Sequence, residues 1–85
     1  MPELSRFLGI VIFMNYRDHQ PPHFHARYND YEVTIEIETG VIAGKMPRRA
    51  LNLVLEWSDK HKDELRQNWL LAREHKELTT IDPLE

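Results

Sequence analysis

The hydrophobic positions change period along the chain, and each change marks an element. Residues 1–8 read as a lead-in whose Leu4 and Phe7 dock on the core. Gly9 to Tyr16 (GIVIFMNY) is rich in β-branched and aromatic residues, which predicts a largely buried strand. Arg17 to Pro22 (RDHQPP) reads as a loop, because two prolines remove two backbone donors and exclude the helical region before them. HFHARY (23–28) alternates: Phe24, Ala26 and Tyr28 face one way, His23, His25 and Arg27 the other. Asn29-Asp30 suits a two-residue turn. EVTIEIE (32–38) then places Val33, Ile35 and Ile37 inward and Glu32, Thr34, Glu36 and Glu38 outward. Thr39-Gly40 is a second turn, and VIAGKM (41–46) returns as a further strand. With Asn29-Asp30 as the whole turn, Arg27 faces Glu32, His25 faces Thr34 and His23 faces Glu36. A slip of one residue would invert both faces, so the match of like with like supports this register.

From Pro47, well placed at a first helical position, to about His75 the period is helical. Steps of roughly 100° put Ala50, Val54, Trp57, His61, Leu65 and Ala72 on one stripe. Leu51, Leu53, Trp69 and Leu71 flank it, and Glu56, Asp59, Asp63, Gln67 and Glu74 lie opposite. One continuous helix would be roughly 43 Å long, against about 20 Å for a six-residue strand. The helix therefore either breaks near Ser58-Asp59, where Ser58 would cap a second segment, or overhangs the sheet. The unbroken phase of the stripe favours one helix, straight or bent. Leu78 to Ile81 is a candidate short edge strand. The expected architecture is one α+β domain over 1–85: an antiparallel meander of three to four strands packed on one long helix.

Composition narrows the function. The chain has 85 residues, 41% hydrophobic and 29% charged, which is ordinary for a soluble globular protein. A net charge of −3 argues against a nucleic-acid-binding surface on the whole molecule, while leaving room for a local basic patch. Without cysteine there is no disulfide, no thiolate chemistry and no cysteine-bound zinc. The longest apolar run, Phe7 to Met14, is too short to span a membrane and lacks a signal-cleavage site. A cytoplasmic location is the expectation.

Three of the five histidines fall within Asp18-His19-Gln20-Pro21-Pro22-His23-Phe24-His25. His23 and His25 share a strand face and can both reach one metal ion. His19 would add a third nitrogen from the loop, and Asp18 or Glu36 a carboxylate that fixes an imidazole tautomer. Three neutral ligands with water would make an open, catalytic type of site for a divalent metal such as zinc. Without metal, His23 and His25 could divide acid and base work. Or the imidazoles simply lie on a polar sheet face, paired with Glu36 and Thr34.

Pro47-Arg48-Arg49 sets two cations in a first helical turn, where the helix dipole disfavours them. With Lys45 they form a basic cluster suited to an anion such as phosphate. The blander expectation pairs Arg48 and Arg49 with Glu36, Glu38, Asp82 or the carboxyl terminus. Trp57 and Trp69 read as core or interface, and His61 as a hydrogen-bonded core histidine. His75 suits a helix carboxyl end. Glu32, Glu36 and Glu38 read as a solvated face. Leu55 and Leu70 fall off the stripe and are candidate contacts for a partner or a second copy.

The chain also resembles a small bacterial family catalogued as domain of unknown function 4160. The resembling residues begin with Pro2-Glu3-Leu4-Ser5-Arg6-Phe7 and Gly9, then Asp18 to Ala26 with Tyr28. They continue through Thr39-Gly40, Gly44, Pro47-Arg48, Glu56-Trp57, Glu64-Leu65, Trp69 and Ile81-Asp82-Pro83-Leu84. Members of that family often carry a glycine after the long helix, and Arg73-Glu74-His75-Lys76-Glu77 has none. The family has no established activity. The resemblance implies a protein often encoded beside a second small protein, and so a candidate toxin–antitoxin component.

Two functional expectations follow. The first is an interaction module that binds a cognate protein or a second copy through Leu55 and Leu70. The second is a small nuclease-like hydrolase, with His19, His23 and His25 on a metal or as acid and base and Arg48 and Arg49 on phosphate. The second requires the histidines and the arginines to share one concavity. A dimeric structural protein without chemistry is a third.

Overall fold

The computed structural model describes residues 2–84; the part of the expected lead-in at Met1, and Glu85 at the chain end, lie outside the described residues. The fold is α+β. Five strands, β1 (Glu3–Phe7), β2 (Ile10–Phe13), β3 (His23–Tyr28), β4 (Tyr31–Glu36) and β5 (Ile42–Lys45), form one antiparallel sheet in chain order. Two helices follow, α1 (Arg48–Lys60) and α2 (Lys62–Arg73).

The extra strand is β1, where only a docked lead-in was expected. Its register passes from Glu3 opposite Phe13 to Ser5 opposite Ile12, so Leu4 is an inserted residue. Leu4 and Ser5 are both buried, which hides the alternation. The turn to β2 is Leu8-Gly9, both with positive φ (50° and 82°). Leucine is rare in that conformation, so the sequence does not advertise a turn. The β3–β4 register is the one the side-chain pattern demands: His23 opposite Glu36, His25 opposite Thr34, Arg27 opposite Glu32. β4 stops at Glu36 and not at Glu38, because the Glu36 N–H already closes the next turn on the Val41 carbonyl.

The single long helix is corrected to two. The break falls at His61, not at Ser58-Asp59. Ser58 caps nothing: it is buried and its hydroxyl donates to the Leu55 carbonyl. The molecule is 33 Å in its longest dimension, shorter than the roughly 43 Å of an unbroken helix. Breaking at His61 keeps both segments on the sheet without losing the stripe, since Ala50, Val54, Trp57, Leu65 and Ala72 are all buried. No edge strand forms at Leu78 to Ile81. That segment is a strap instead: Asn68 donates to the Thr79 carbonyl and accepts from its N–H, Ile81 N–H donates to Leu4 O, and Trp57 Nε1 donates to Asp82 O.

The helices cover one sheet face. Ile10, Ile12, Phe24, Ala26, Val33 and Ile35 meet Val54, Trp57 and Leu65 in the core. The other face carries Phe13, His25, Arg27, Glu32, Thr34, Ala43 and Lys45 across neighbouring strands. Among the described residues, no helix is long and apolar enough to cross a membrane.

Candidate metal centre

The chemistry gathers at the end of β3, where the proline loop enters the sheet. The Gln20-Pro21 peptide is cis. The Pro22 carbonyl accepts from Ile37 N–H and extends the β3–β4 ladder by one step. The Pro21 carbonyl is left for a side chain, and His23 Nδ1 lies 2.8 Å from it. A carbonyl only accepts, so Nδ1 carries the hydrogen and the neutral ring turns the lone pair of Nε2 outward. That lone pair faces Asp18 Oδ2 at 3.3 Å. The same carboxylate oxygen lies 2.8 Å from His25 Nε2. On its far side His25 Nδ1 is 3.4 Å from Glu32 Oε2 but is not aimed for a hydrogen bond, which leaves it buried without a partner.

Packing fixes both rings. His25 is stacked on Phe13 with centroids 4.8 Å apart, and the Arg27 guanidinium covers the same phenyl ring. His23 leans on Trp69 of α2 at 5.4 Å. Their side chains are 12% and 11% exposed, and that of Asp18 is 20% exposed. Burial at this level makes a lone pair facing a carboxylate costly, and a positive charge between them removes the cost. One potential ligand atom from each of Asp18, His23 and His25 lies within 4.8 Å of the others. Two imidazoles and one carboxylate on one side of an ion leave its remaining positions open.

The expected set was different. His19 is not part of this group: its Nδ1 pairs with the Gln20 carbonyl oxygen and its ring centroid is 6.1 Å from that of His23. Asp18, expected only to support an imidazole, instead brings its own carboxylate to the two strand histidines. The loop places His19 on the wall of the same cleft, outside the Asp18, His23 and His25 group. The cleft is about 370 Å³ and is lined by Asp18, His19, His23, His25, Thr34 and Glu36, with Val41 and Ala43 at one side.

Arg48 and Arg49 do not share this concavity. Arg49 lines a separate depression with Leu8, Tyr28, Pro47, Ala50 and Leu53. Both arginines are exposed, and among the described residues neither forms an ion pair. The cations that do adjoin the histidine cleft are Arg17 and Arg73, which with Tyr16 and His75 line a depression sharing Asp18. Sequence reasoning missed them because they lie far apart in the chain on unrelated elements.

The remaining expectations divide. Trp57 and Trp69 are buried. His61 is half-buried against Trp57 and pairs with Glu64. Glu36 accepts from Thr39, and Glu38 is forked by Arg66 at 2.7 and 2.9 Å. Leu70 is 57% exposed, as a contact residue would be. Leu55 packs partly buried against the core, so the expected pair of exposed leucines is reduced to one.

No curated protein and no solved structure matches this chain. The family model described as a domain of unknown function, DUF4160, matches residues 9–70 and takes in the whole of the loop and strand that carry Asp18, His23 and His25. More than half of the chain is matched, and the protein belongs to the DUF4160 family.

Proposed function

We propose that this protein is a divalent-metal-dependent hydrolase whose ion is held by Asp18, His23 and His25. The observation that carries the reading is the meeting of one carboxylate oxygen with two inward-turned imidazole nitrogens, at 2.8 and 3.3 Å. The Pro21 carbonyl fixes the His23 tautomer, and Glu32, 3.4 Å from His25 Nδ1, is the carboxylate beside the hydrogen that nitrogen would carry with an ion on Nε2. Three protein ligands leave room for water, and a metal ion lowers the pKa of bound water enough to make hydroxide near neutral pH. Hydrolysis needs nothing beyond the ion, water and a cleft beside them, which is why it is favoured over chemistry that needs a second cofactor.

The test is elemental analysis of untagged protein loaded with zinc or manganese, beside Asp18→Asn and His23→Ala/His25→Ala. Hydrolysis of p-nitrophenyl phosphate and p-nitrophenyl acetate is measured with and without chelator. About one equivalent of metal in the wild type, none in either variant, and chelator-sensitive turnover are expected. Metal content equal in wild type and variants would overturn the reading.

Exposed Leu70 supports a second reading, the interaction module, as half of a toxin–antitoxin-like pair or as a homodimer. It predicts that Leu70→Asp abolishes an association seen by light scattering. A wild type whose mass is that of one chain at every concentration would remove the homodimer.

A further inference from the structure

Resting on the metal reading, we propose that the depression adjoining the histidine cleft is an oxyanion subsite, and that the substrate is a phosphate ester. Tyr16, Arg17, Asp18, Arg73 and His75 line this depression of about 350 Å³. Asp18 also lines the histidine cleft, so it stands on the wall between the two. Its carboxylate is turned to His23 and His25, which leaves the two guanidiniums as the cations of the second space. Arg17 and Arg73 are exposed, and among the described residues neither has a carboxylate partner.

An independent observation concerns His75. The Lys76 N–H bonds Leu71 O at 2.9 Å and the His75 N–H bonds Ala72 O at 3.1 Å, which is the Schellman ending of α2. In that ending His75 holds the left-handed position, with φ of 57°, where glycine is at ease and a side chain is strained. The imidazole is stacked on Tyr16, with ring planes 13° apart, and lines the depression. The left-handed position at the end of α2 thus sets the imidazole against Tyr16 and on the wall of the depression.

Guanidinium forks match the oxygens of phosphate, and a tetrahedral ester could present one oxygen toward the ion that Asp18, His23 and His25 would hold and others toward Arg17 and Arg73. The step is balanced by water alone. Water oxygen bonds to phosphorus, the ester P–O bond breaks, and the two protons of water end on the phosphate product and the leaving alcohol. No oxidant or reductant is needed.

The experiment titrates inorganic phosphate into chelator-treated protein, followed by NMR of the arginine side chains. Arg17→Gln/Arg73→Gln is expected to weaken phosphate binding by about tenfold or more, and Arg48→Gln/Arg49→Gln to leave it within about twofold. His75→Gly is expected to weaken phosphate binding while raising Tm, a pairing that a purely structural residue would not give. Unchanged affinity in Arg17→Gln/Arg73→Gln, or loss confined to Arg48→Gln/Arg49→Gln, would overturn the subsite. Metal content of the same variants, expected to stay at one equivalent on reloading, tests the underlying reading separately. Should metal bind and phosphate not, this inference fails and the metal centre stands.

Discussion

At the scale of single residues the account turns on hydrogen-bond accounting. A carboxylate and a carbonyl can only accept, so His23, between the Pro21 carbonyl and Asp18, lacks a consistent neutral arrangement, while His25 donates to Asp18 through Nε2 and leaves Nδ1 without a partner. Glu32→Gln keeps the shape and removes the charge behind His25. It should weaken metal affinity, by less than the roughly 10-fold of a hydrogen-bonded outer carboxylate, measured by competition with a chromogenic chelator. His19→Ala should leave that affinity unchanged, because His19 lies outside the group. Of this site, the shared face of His23 and His25 was legible, since strand alternation fixes it. The choice of Asp18 over His19 was not, because loop direction depends on bonds such as Pro21 O to His23 that no spacing rule gives. Phe13 and Trp69, which fix the two rings, were legible only as apolar residues.

At the scale of elements, three devices position the site. β5 supplies one wall of the cleft, and Gly44 lets it pair: with φ of 103°, an added Cβ would stand 2.5 Å from Glu32 O. Gly44→Ala should cost about 1–3 kcal/mol. It should also speed hydrogen exchange at the Glu36 amide, which is bonded to Val41 at the root of β5. Asn68 carries the strap. Removing its amide with Asn68→Leu strips partners from Thr79 and should cost about 1–3 kcal/mol in denaturant unfolding. Arg66 ties the β4–β5 turn to α2 by forking Glu38, and that bond holds the Glu38 carboxyl below its ordinary value. A lowered carboxylate contributes stability above its unfolded pKa, and the contribution is lost as pH falls through the folded one. The Tm gap between wild type and Glu38→Gln should therefore be present at neutral pH and narrow as pH falls through and below the ordinary carboxylate range. It should be small, because the pair is exposed. The hairpin of β3 and β4 was legible because both of its faces agree on one register. β1 was not, because the Leu4 bulge and the Leu8-Gly9 turn break the patterns that reveal strands.

At the scale of the molecule, the two sheet faces have separate tasks. One packs on α1 and α2 around Trp57 and Phe24, both fully buried, and the other carries His25, with His23 at the rim where Trp69 of α2 reaches it. Trp57→Ala should cost about 3–5 kcal/mol, a large share of the roughly 5–15 kcal/mol of a whole domain, and should unfold the site with the core. The amphipathic stripe made this division legible. The helix break was legible only as a conflict between helix length and sheet size, and the structure resolves it at His61. What the whole arrangement delivers is one carboxylate and two imidazoles together on the wall of one cleft. The most direct test is a long-range ¹H–¹⁵N spectrum of the five histidine rings, recorded as zinc is added. The account predicts that His23 and His25 alone become Nε2-bound, with hydrogen kept on Nδ1, at one equivalent of zinc. Movement of His19 with them, or no change in any ring, would contradict it.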